Sequence, residues 1–161
     1  MISSKRTIKS LTALFVAMAF MFVGNMLVVS SVGVILKQNG TSTLAIGIVN
    51  AFFFLGATFS TISAHRIIVQ IGHIRAFGIY ISLFAMGTIL HNISANLWLW
   101  IVLRFALGVA YYGILMILES WINEKAKNAV RSRVISVYEI VSYMSFGVGI
   151  LLMGLDFAPH T

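Results

Sequence analysis

Three charged side chains, Arg104, Glu119 and Glu139, lie inside or beside long apolar stretches of the sequence. An arginine at bilayer depth costs roughly 2.5–3.5 kcal/mol on insertion scales, so it needs a water-filled cavity or a polar partner. We therefore expect Arg104 to face a cavity and to bind an anionic substrate or take part in coupling. The alternative is that its guanidinium reaches the nearer interface, because Leu97 is only about 10 Å away along a helix.

Glu119 follows Arg104 by fifteen residues, or about 22 Å along a helix, so the two side chains do not touch each other. Two roles are open for this carboxylate. One is a structural ion pair with Arg75, Arg131 or Arg133, and the other is the carrying of protons.

Glu139 lies near the start of the last apolar stretch, with Tyr143 one helical turn beyond it. A carboxylate held at that depth is suited to reversible protonation, because perturbed ionisable groups collect at functional sites. We therefore expect Glu139 and Tyr143 to take part in coupling. The alternative is a structural salt bridge between Glu139 and the basic segment before it.

The elements that position these residues are apolar and continuous. Apolar residues make up 60% of the chain and charged residues 9%, whereas soluble domains average about 25% charged. A helix of about 20 residues crosses the hydrocarbon core, and barrel strands would alternate instead. We predict an all-α integral membrane protein with a single transmembrane domain, residues 1–161. Its five predicted spans are 11–36, 44–66, 76–93, 97–122 and 134–155.

The basic residues orient these spans. Nine of the eleven Lys and Arg lie in the N-terminal tail and in the second and fourth connections, whereas Lys37 alone lies in a connection on the other side. Because basic loops stay in the cytoplasm, we expect a multi-pass protein of the cell inner membrane with a cytoplasmic N-terminus and an external C-terminus. Lipid-facing loops account for the net charge of +7, so no nucleic-acid partner is predicted.

Enzyme signatures are absent from the sequence: no G-x-S-x-G, H-E-x-x-H or P-loop occurs. There are no cysteines, and the four histidines are spread over both sides, so neither a metal site nor a cofactor is predicted. Asn25 and Asn50 lie within spans, where asparagines are more often interhelical hydrogen-bond partners than ligand contacts. Gly56 and Ser60, one turn apart, are small enough to let helices approach closely.

Several motifs resemble the N-terminal half of major facilitator superfamily transporters. They are Arg104-Phe-Ala-Leu-Gly108 in the fourth span, short basic connections after the second and fourth spans, and a glycine-containing fifth span. Glu119-Ser-Trp-Ile-Asn123, followed by Arg131-Ser-Arg-Val134, looks most like the YcaD-like branch of bacterial permeases, and Gly72-His-Ile-Arg-Ala-Phe77 is similar to the second loop of that branch. The resemblance covers nearly the whole chain and implies the first five helices of a six-helix bundle.

Two positions depart from the superfamily pattern. Val69 and Gln70 stand where the second-loop signature has an Asp-Arg pair, so the ion pairs of that signature are not expected here. The segment Phe146-Gly-Val-Gly149 contains no proline, unlike the Gly-Pro motif of drug/proton antiporters.

The resemblance implies a permease that moves a small solute by secondary active transport, with protons as a candidate coupling ion, by rocking two bundles around a central cavity. The implied cavity residues are Arg104, Asn25, Tyr111 and Asn50. The implied cytoplasmic gate comprises Gly72, Arg75, Glu119, Trp121, Arg131 and Arg133. We expect the second half of the fold to be missing, through truncation or because a partner chain supplies it. The alternative is a small membrane subunit or remnant with a structural or assembly role and no transport.

Overall fold

The computed structural model describes residues 4–91, 93, 96–125 and 128–156, and side chains for residues 12, 15–91, 93, 96–124, 132 and 134–155. Five helices follow one another along the chain, and each contains a segment long and apolar enough to cross a membrane. The predicted all-α membrane fold is therefore confirmed. The helices are α1 Ser4–Gln38, α2 Thr43–Ile71, α3 His73–Leu90, α4 Leu97–Lys125 and α5 Asn128–Asp156.

Polar residues define where the helices start. Ser42 caps α2, since its hydroxyl accepts a hydrogen bond from the Ala45 N–H at 3.3 Å. The Asn96 side chain accepts one from the Trp98 N–H at 2.9 Å, directly before the apolar run of α4. Such side chains satisfy the N–H groups that the first helical turn leaves unpaired.

The connection between α2 and α3 is the single residue Gly72. Its φ of +81° and ψ of 163° fall in a region that is essentially restricted to glycine. The Gly72 N–H donates to the Ile68 carbonyl at 2.8 Å and so closes the last turn of α2. This residue therefore ends α2 and lets the chain reverse at once into α3.

The helices differ from the predicted spans at several ends, and two of these differences concern the connections. The third helix ends at Leu90 rather than at residue 93, and a turn follows in which the Ile93 N–H donates to the Leu90 carbonyl. The basic segment 123–133, expected to be a loop, is largely helical, because α4 runs to Lys125 and α5 begins at Asn128. The segment has no Gly or Pro, and water can solvate its charges, so nothing breaks the helices where the apolar sequence ends.

Helix α1 up to Ile35 and helix α5 form one compact unit. A β-carbon added at Gly149 would lie 2.6 Å from the Met26 Cβ and 3.0 Å from the Val23 carbonyl oxygen. The Phe22 ring packs edge-on against Phe146, with the centroids 5.2 Å apart. A glycine on α5 therefore allows close contact with α1, as small residues commonly do between membrane helices.

Helices α2, α3 and α4 form the second unit, in which α4 is the most enclosed helix. Its contact with α2 is backbone on backbone, because β-carbons added at Gly56 and Gly108 would overlap the carbonyl oxygens of Phe105 and Phe53. On its other side, Gly113 of α4 accommodates the Tyr80 ring of α3. These glycines fix α4 between its two neighbours, and α4 carries Arg104.

Candidate functional site

Arg104 lies about two turns into α4 and is 1% exposed. Its Nη2 donates a hydrogen bond to the Asn50 Oδ1 of α2 at 3.1 Å. The guanidinium carbon also lies 5.5 Å from the centroid of the Phe53 ring, one turn along α2 from Asn50. The guanidinium is therefore enclosed by protein groups, and two of these belong to the helix that packs most closely on α4.

Part of the Arg104 hydrogen-bonding capacity remains unused. Its Nε and Nη1 groups are buried and have no hydrogen-bond partner among the described residues. A guanidinium offers five N–H donors, and a buried donor left without an acceptor costs about 1–3 kcal/mol. Arg104 is thus equipped to hold a further acceptor, and an anion would satisfy both its charge and its donors.

His91, which follows the last residue of α3, lies close to this arginine. Its ring packs edge-on against Trp100 with centroids 5.0 Å apart, and Trp100 precedes Arg104 by one turn of α4. The ring Nδ1 lies 2.7 Å from the Gly87 carbonyl oxygen, an acceptor, so Nδ1 carries the proton and donates. In the neutral ring Nε2 is then an acceptor, and it is buried without a partner among the residues that the structure describes.

The surroundings of His91 keep its ring neutral. Burial lowers the pKa of His91 below its usual value of 6.5, and the positive charge of Arg104 lowers it further, while the hydrogen bond to Gly87 opposes these effects. His91 was not among the site residues predicted from the sequence. His91 precedes Arg104 by thirteen positions in the sequence. Only the antiparallel packing of α3 on α4 brings its ring against Trp100, one turn before Arg104.

Aromatic rings follow Arg104 along α4. The predicted cavity residue Tyr111 lies two turns beyond Arg104 and is buried. Its ring centroid is 6.2 Å from that of Phe53 and 6.3 Å from that of Phe84 of α3. Tyr111 therefore belongs to an aromatic layer between α2 and α3, on the side of Arg104 away from His91.

The other predicted cavity and coupling residues lie in the unit formed by α1 and α5. Asn25 of α1 is buried, at 4% exposure. Glu139 of α5 is exposed, and Tyr143, one turn later, is 69% exposed. The coupling role of Glu139 and Tyr143 stays a prediction.

The predicted gate residues of α3 and α4 meet at the other end of their unit. The His73 imidazole lies 3.0 Å from the Ser120 hydroxyl and 3.5 Å from a Glu124 carboxylate oxygen, and it stacks on Trp121 with centroids 6.4 Å apart. A shallow depression here is lined by Gly72, Arg75, Trp121 and Glu124, among others. His73, Ser120 and Glu124 thus join α3 to α4 beside the predicted gate, although His73 was not among the residues predicted to form it.

The three other predicted gate residues are Glu119, Arg131 and Arg133. Glu119 is exposed at the end of α4. Arg131 and Arg133 lie on the first turns of α5, and their side chains are outside the described residues. Their predicted pairing with Glu119 stays a prediction. No group of three His, Asp or Glu suited to a metal ion occurs in the described part of the chain.

Comparison with known proteins places this arrangement of helices in a family. The sequence pattern of the Major Facilitator Superfamily matches residues 14–156. The chain belongs to this superfamily. The predicted resemblance is thereby confirmed, and Arg104 is the buried arginine of a major facilitator helix.

Curated members of the superfamily are similar to much of this chain. The uncharacterized MFS-type transporter YE1530 of Yersinia enterocolitica is 32% identical over 120 residues, which cover 74% of this chain and 31% of that protein. The uncharacterized MFS-type transporter YcaD of Escherichia coli is 28% identical over 118 residues, which cover 73% and 31%. The chain thus matches about a third of the length of these relatives. No solved structure gives a significant match.

Proposed function

We propose that this major facilitator chain takes part in moving a small solute across the cell inner membrane, with Arg104 as the residue that holds the solute. The observation that carries the proposal is the state of this side chain. The side chain lies on a membrane-spanning helix and is buried, yet two of its nitrogen groups have no acceptor among the described residues. A buried charge with spare donors in a span favours a substrate role over a purely structural one.

Asn50 supports this role by fixing the guanidinium. The hydrogen bond from Arg104 crosses the α2–α4 contact, where the glycines bring the two backbones together. The arginine therefore does not have to be ordered when a solute binds, and such preorganisation lowers the free-energy cost of binding. Tyr111 belongs to the proposed cavity within the same unit, and the cavity role of Asn25 stays a prediction.

The remaining predicted roles belong to the same proposal. The N-terminus is cytoplasmic and the C-terminus external, so the His73 end of α3 faces the cytoplasm and carries the gate. Glu139 and Tyr143 act in coupling with protons. A partner chain that supplies further helices meets the exposed apolar face of α5, which includes Ile140, Met144 and Leu151.

Reconstitution of the 161-residue chain into proteoliposomes tests the proposal. Uptake of labelled organic acids, amino acids and sugars is measured as a panel, with and without a proton gradient. We expect uptake of at least one solute when host membrane proteins that include the partner chain are reconstituted with it, and we expect Arg104→Gln to abolish this uptake, because the amide retains hydrogen bonding but loses the charge. The matched control is Arg66→Gln, since Arg66 is exposed near the end of α2. Uptake that survives Arg104→Gln unchanged contradicts the proposal.

A second candidate function is a structural or assembly role without transport. Proteoliposomes that contain correctly helical protein but show no uptake of any solute in the panel would support this candidate. Circular dichroism of the reconstituted chain establishes the helicity.

A further inference from the structure

We propose that Arg104 and His91 form a binding site for a small monocarboxylate anion, and that His91 takes up one proton when the anion binds. This inference rests on the proposed function and deepens it, because it assigns the class of solute and the residue that carries the proton. It differs from the coupling role predicted for Glu139.

The unused polar atoms of the two side chains are complementary. Arg104 and His91 are 1% and 8% exposed. The arginine has donors without acceptors, and the histidine has an acceptor without a donor, among the described residues. A carboxylate together with a proton matches this set, because its oxygens accept from the guanidinium and the protonated Nε2 donates back to it.

Trp100 links the surroundings of the two groups. It contacts the His91 ring and lies one turn before Arg104 on α4, and the charge of Arg104 acts on His91. Asn50 and Phe53 of α2 contact the guanidinium and contribute no charge. The aromatic surroundings of the guanidinium suit a small anion, and one carboxylate balances the charge of the empty site.

The proton follows from the change in surroundings when the anion binds. In the empty site burial lowers the pKa of His91, the charge of Arg104 lowers it further, and the ring is neutral. An anion on Arg104 cancels the repulsion and accepts a hydrogen bond, so the pKa of His91 rises and the ring gains a proton from solution. The occupied site then contains one carboxylate, one imidazolium and one guanidinium. The anion and the proton taken up together correspond to one molecule of the carboxylic acid.

Most other ionisable groups of the unit lie towards the opposite ends of their helices, and Lys37, at the His91 end, is exposed. On α2, His65 and Arg66 are about 22 Å along the helix from Asn50. On α3, His73, Arg75 and Tyr80 lie towards the opposite end of the helix. On α4, Tyr111 lies on the far side of Arg104. Lys37 is the second-last residue of α1, and its side chain is exposed. Arg104 is the charged group that acts on His91 among the described residues.

Acetate binding to the purified full chain in detergent tests this site. Isothermal titration calorimetry is run at several pH values and in two buffers of different ionisation enthalpy. We expect acetate to bind with uptake of close to one proton, and its Kd to rise about tenfold per pH unit once His91 is neutral in the empty protein. Absence of acetate binding at pH 5.5, or binding without proton uptake, overturns the proposal.

Two variants separate the parts of the site. Arg104→Gln should abolish acetate binding at every pH. If the glutamine variant folds poorly, Arg104→Lys replaces it: this variant retains the charge and should show weakened, pH-dependent acetate binding. His91→Gln should leave binding that is weak and independent of pH. The matched control is His65→Gln, because His65 is exposed on α2. Unchanged pH dependence in His91→Gln overturns the assignment of the proton to His91.

The same variants distinguish this site from the proposed transport function. Acetate binding with proton uptake but without flux in proteoliposomes removes transport and leaves the site in place. If acetate does not bind and the flux of another solute is unchanged in His91→Gln, the proposed acetate site is wrong but the proposed transport function is retained.

Discussion

Gly56 of α2 lies so close to Phe105 of α4 that a β-carbon at this position would overlap the Phe105 carbonyl oxygen. Phe105 is the residue next to Arg104, and Asn50 lies less than two turns before Gly56 on the same helix. The backbone contact between α2 and α4 therefore sets the position of the Arg104–Asn50 hydrogen bond.

Gly56→Val should separate α2 from α4 and destabilise the protein. Overpacking of this kind costs typically about 1–3 kcal/mol, and here the neighbouring atoms are backbone and cannot turn aside. Thermal unfolding in detergent measures the effect. Gly47→Val is the control, because open space surrounds Gly47 on the same helix. Equal losses for the two variants would show that the close contact is unimportant.

Asn50→Asp should prevent acetate binding while leaving the fold intact. The new carboxylate would take the place of the amide oxygen 3.1 Å from Arg104 and neutralise the guanidinium. Calorimetry of acetate binding at pH 5.5 measures the loss. Asn123→Asp, at an exposed position near the end of α4, should bind acetate as the native chain does. Native affinity in Asn50→Asp would mean that Arg104 does not hold the anion.

Stability should fall on acidification because of His91. The pKa of His91 in the folded chain lies below the usual 6.5, so the unfolded chain binds more protons between these two values. The contribution of His91 to stability is thus present above about pH 6.5 and is lost as the pH falls through the folded-state pKa. The Tm of the native chain should drop over this range more than that of His91→Gln, whereas His65→Gln should follow the native chain. Identical pH profiles for native and His91→Gln would contradict this account.

Gly72→Ala should destabilise the junction of α2 and α3. The φ of +81° and ψ of 163° at this residue cost a side-chain-bearing residue about 1–3 kcal/mol. Gly78→Ala, within α3 and in open space, should instead stabilise by about 0.5–1 kcal/mol because alanine favours helix. Thermal unfolding of both variants compares the two effects, and a neutral Gly72→Ala would show that the junction can relax.

The predicted orientation places Gly40 outside the cell and Gly72 in the cytoplasm. Alkaline phosphatase fused after Gly40 should therefore be active, since this enzyme folds only outside the cytoplasm, and the same fusion after Gly72 should be inactive. The reverse pattern would invert the chain in the membrane and move His73 and Trp121 to the outer face.

Sequence reasoning located the five helices because continuous apolar runs report directly on burial in lipid. It missed that 123–125 and 128–133 are helical, since hydropathy records where the bilayer ends and not where a helix ends. Arg104 stood out through the cost of its charge within a span. His91 did not, because its importance depends on which helices pack together, and apolar periodicity carries little information on that pairing.

The coupling role predicted for Glu139 rests on its position within an apolar run, and its side chain is exposed on α5. In a membrane helix, every face is apolar enough to be buried, so sequence alone does not distinguish a face that packs on protein from one that does not.

Helix α3 has 18 residues, whereas α2 and α4 have 29 each. At 1.5 Å per residue α3 is about 27 Å long, slightly less than a hydrocarbon layer of about 30 Å. Helix α3 is therefore too short to tilt within a hydrocarbon layer of this thickness. Either it lies along the bilayer normal or the lipid beside it becomes thinner. In a thicker membrane the mismatch in length should affect α3 before the longer helices. Lipid chain length should therefore alter the surroundings of His73 at one end of α3 and of His91 at the other.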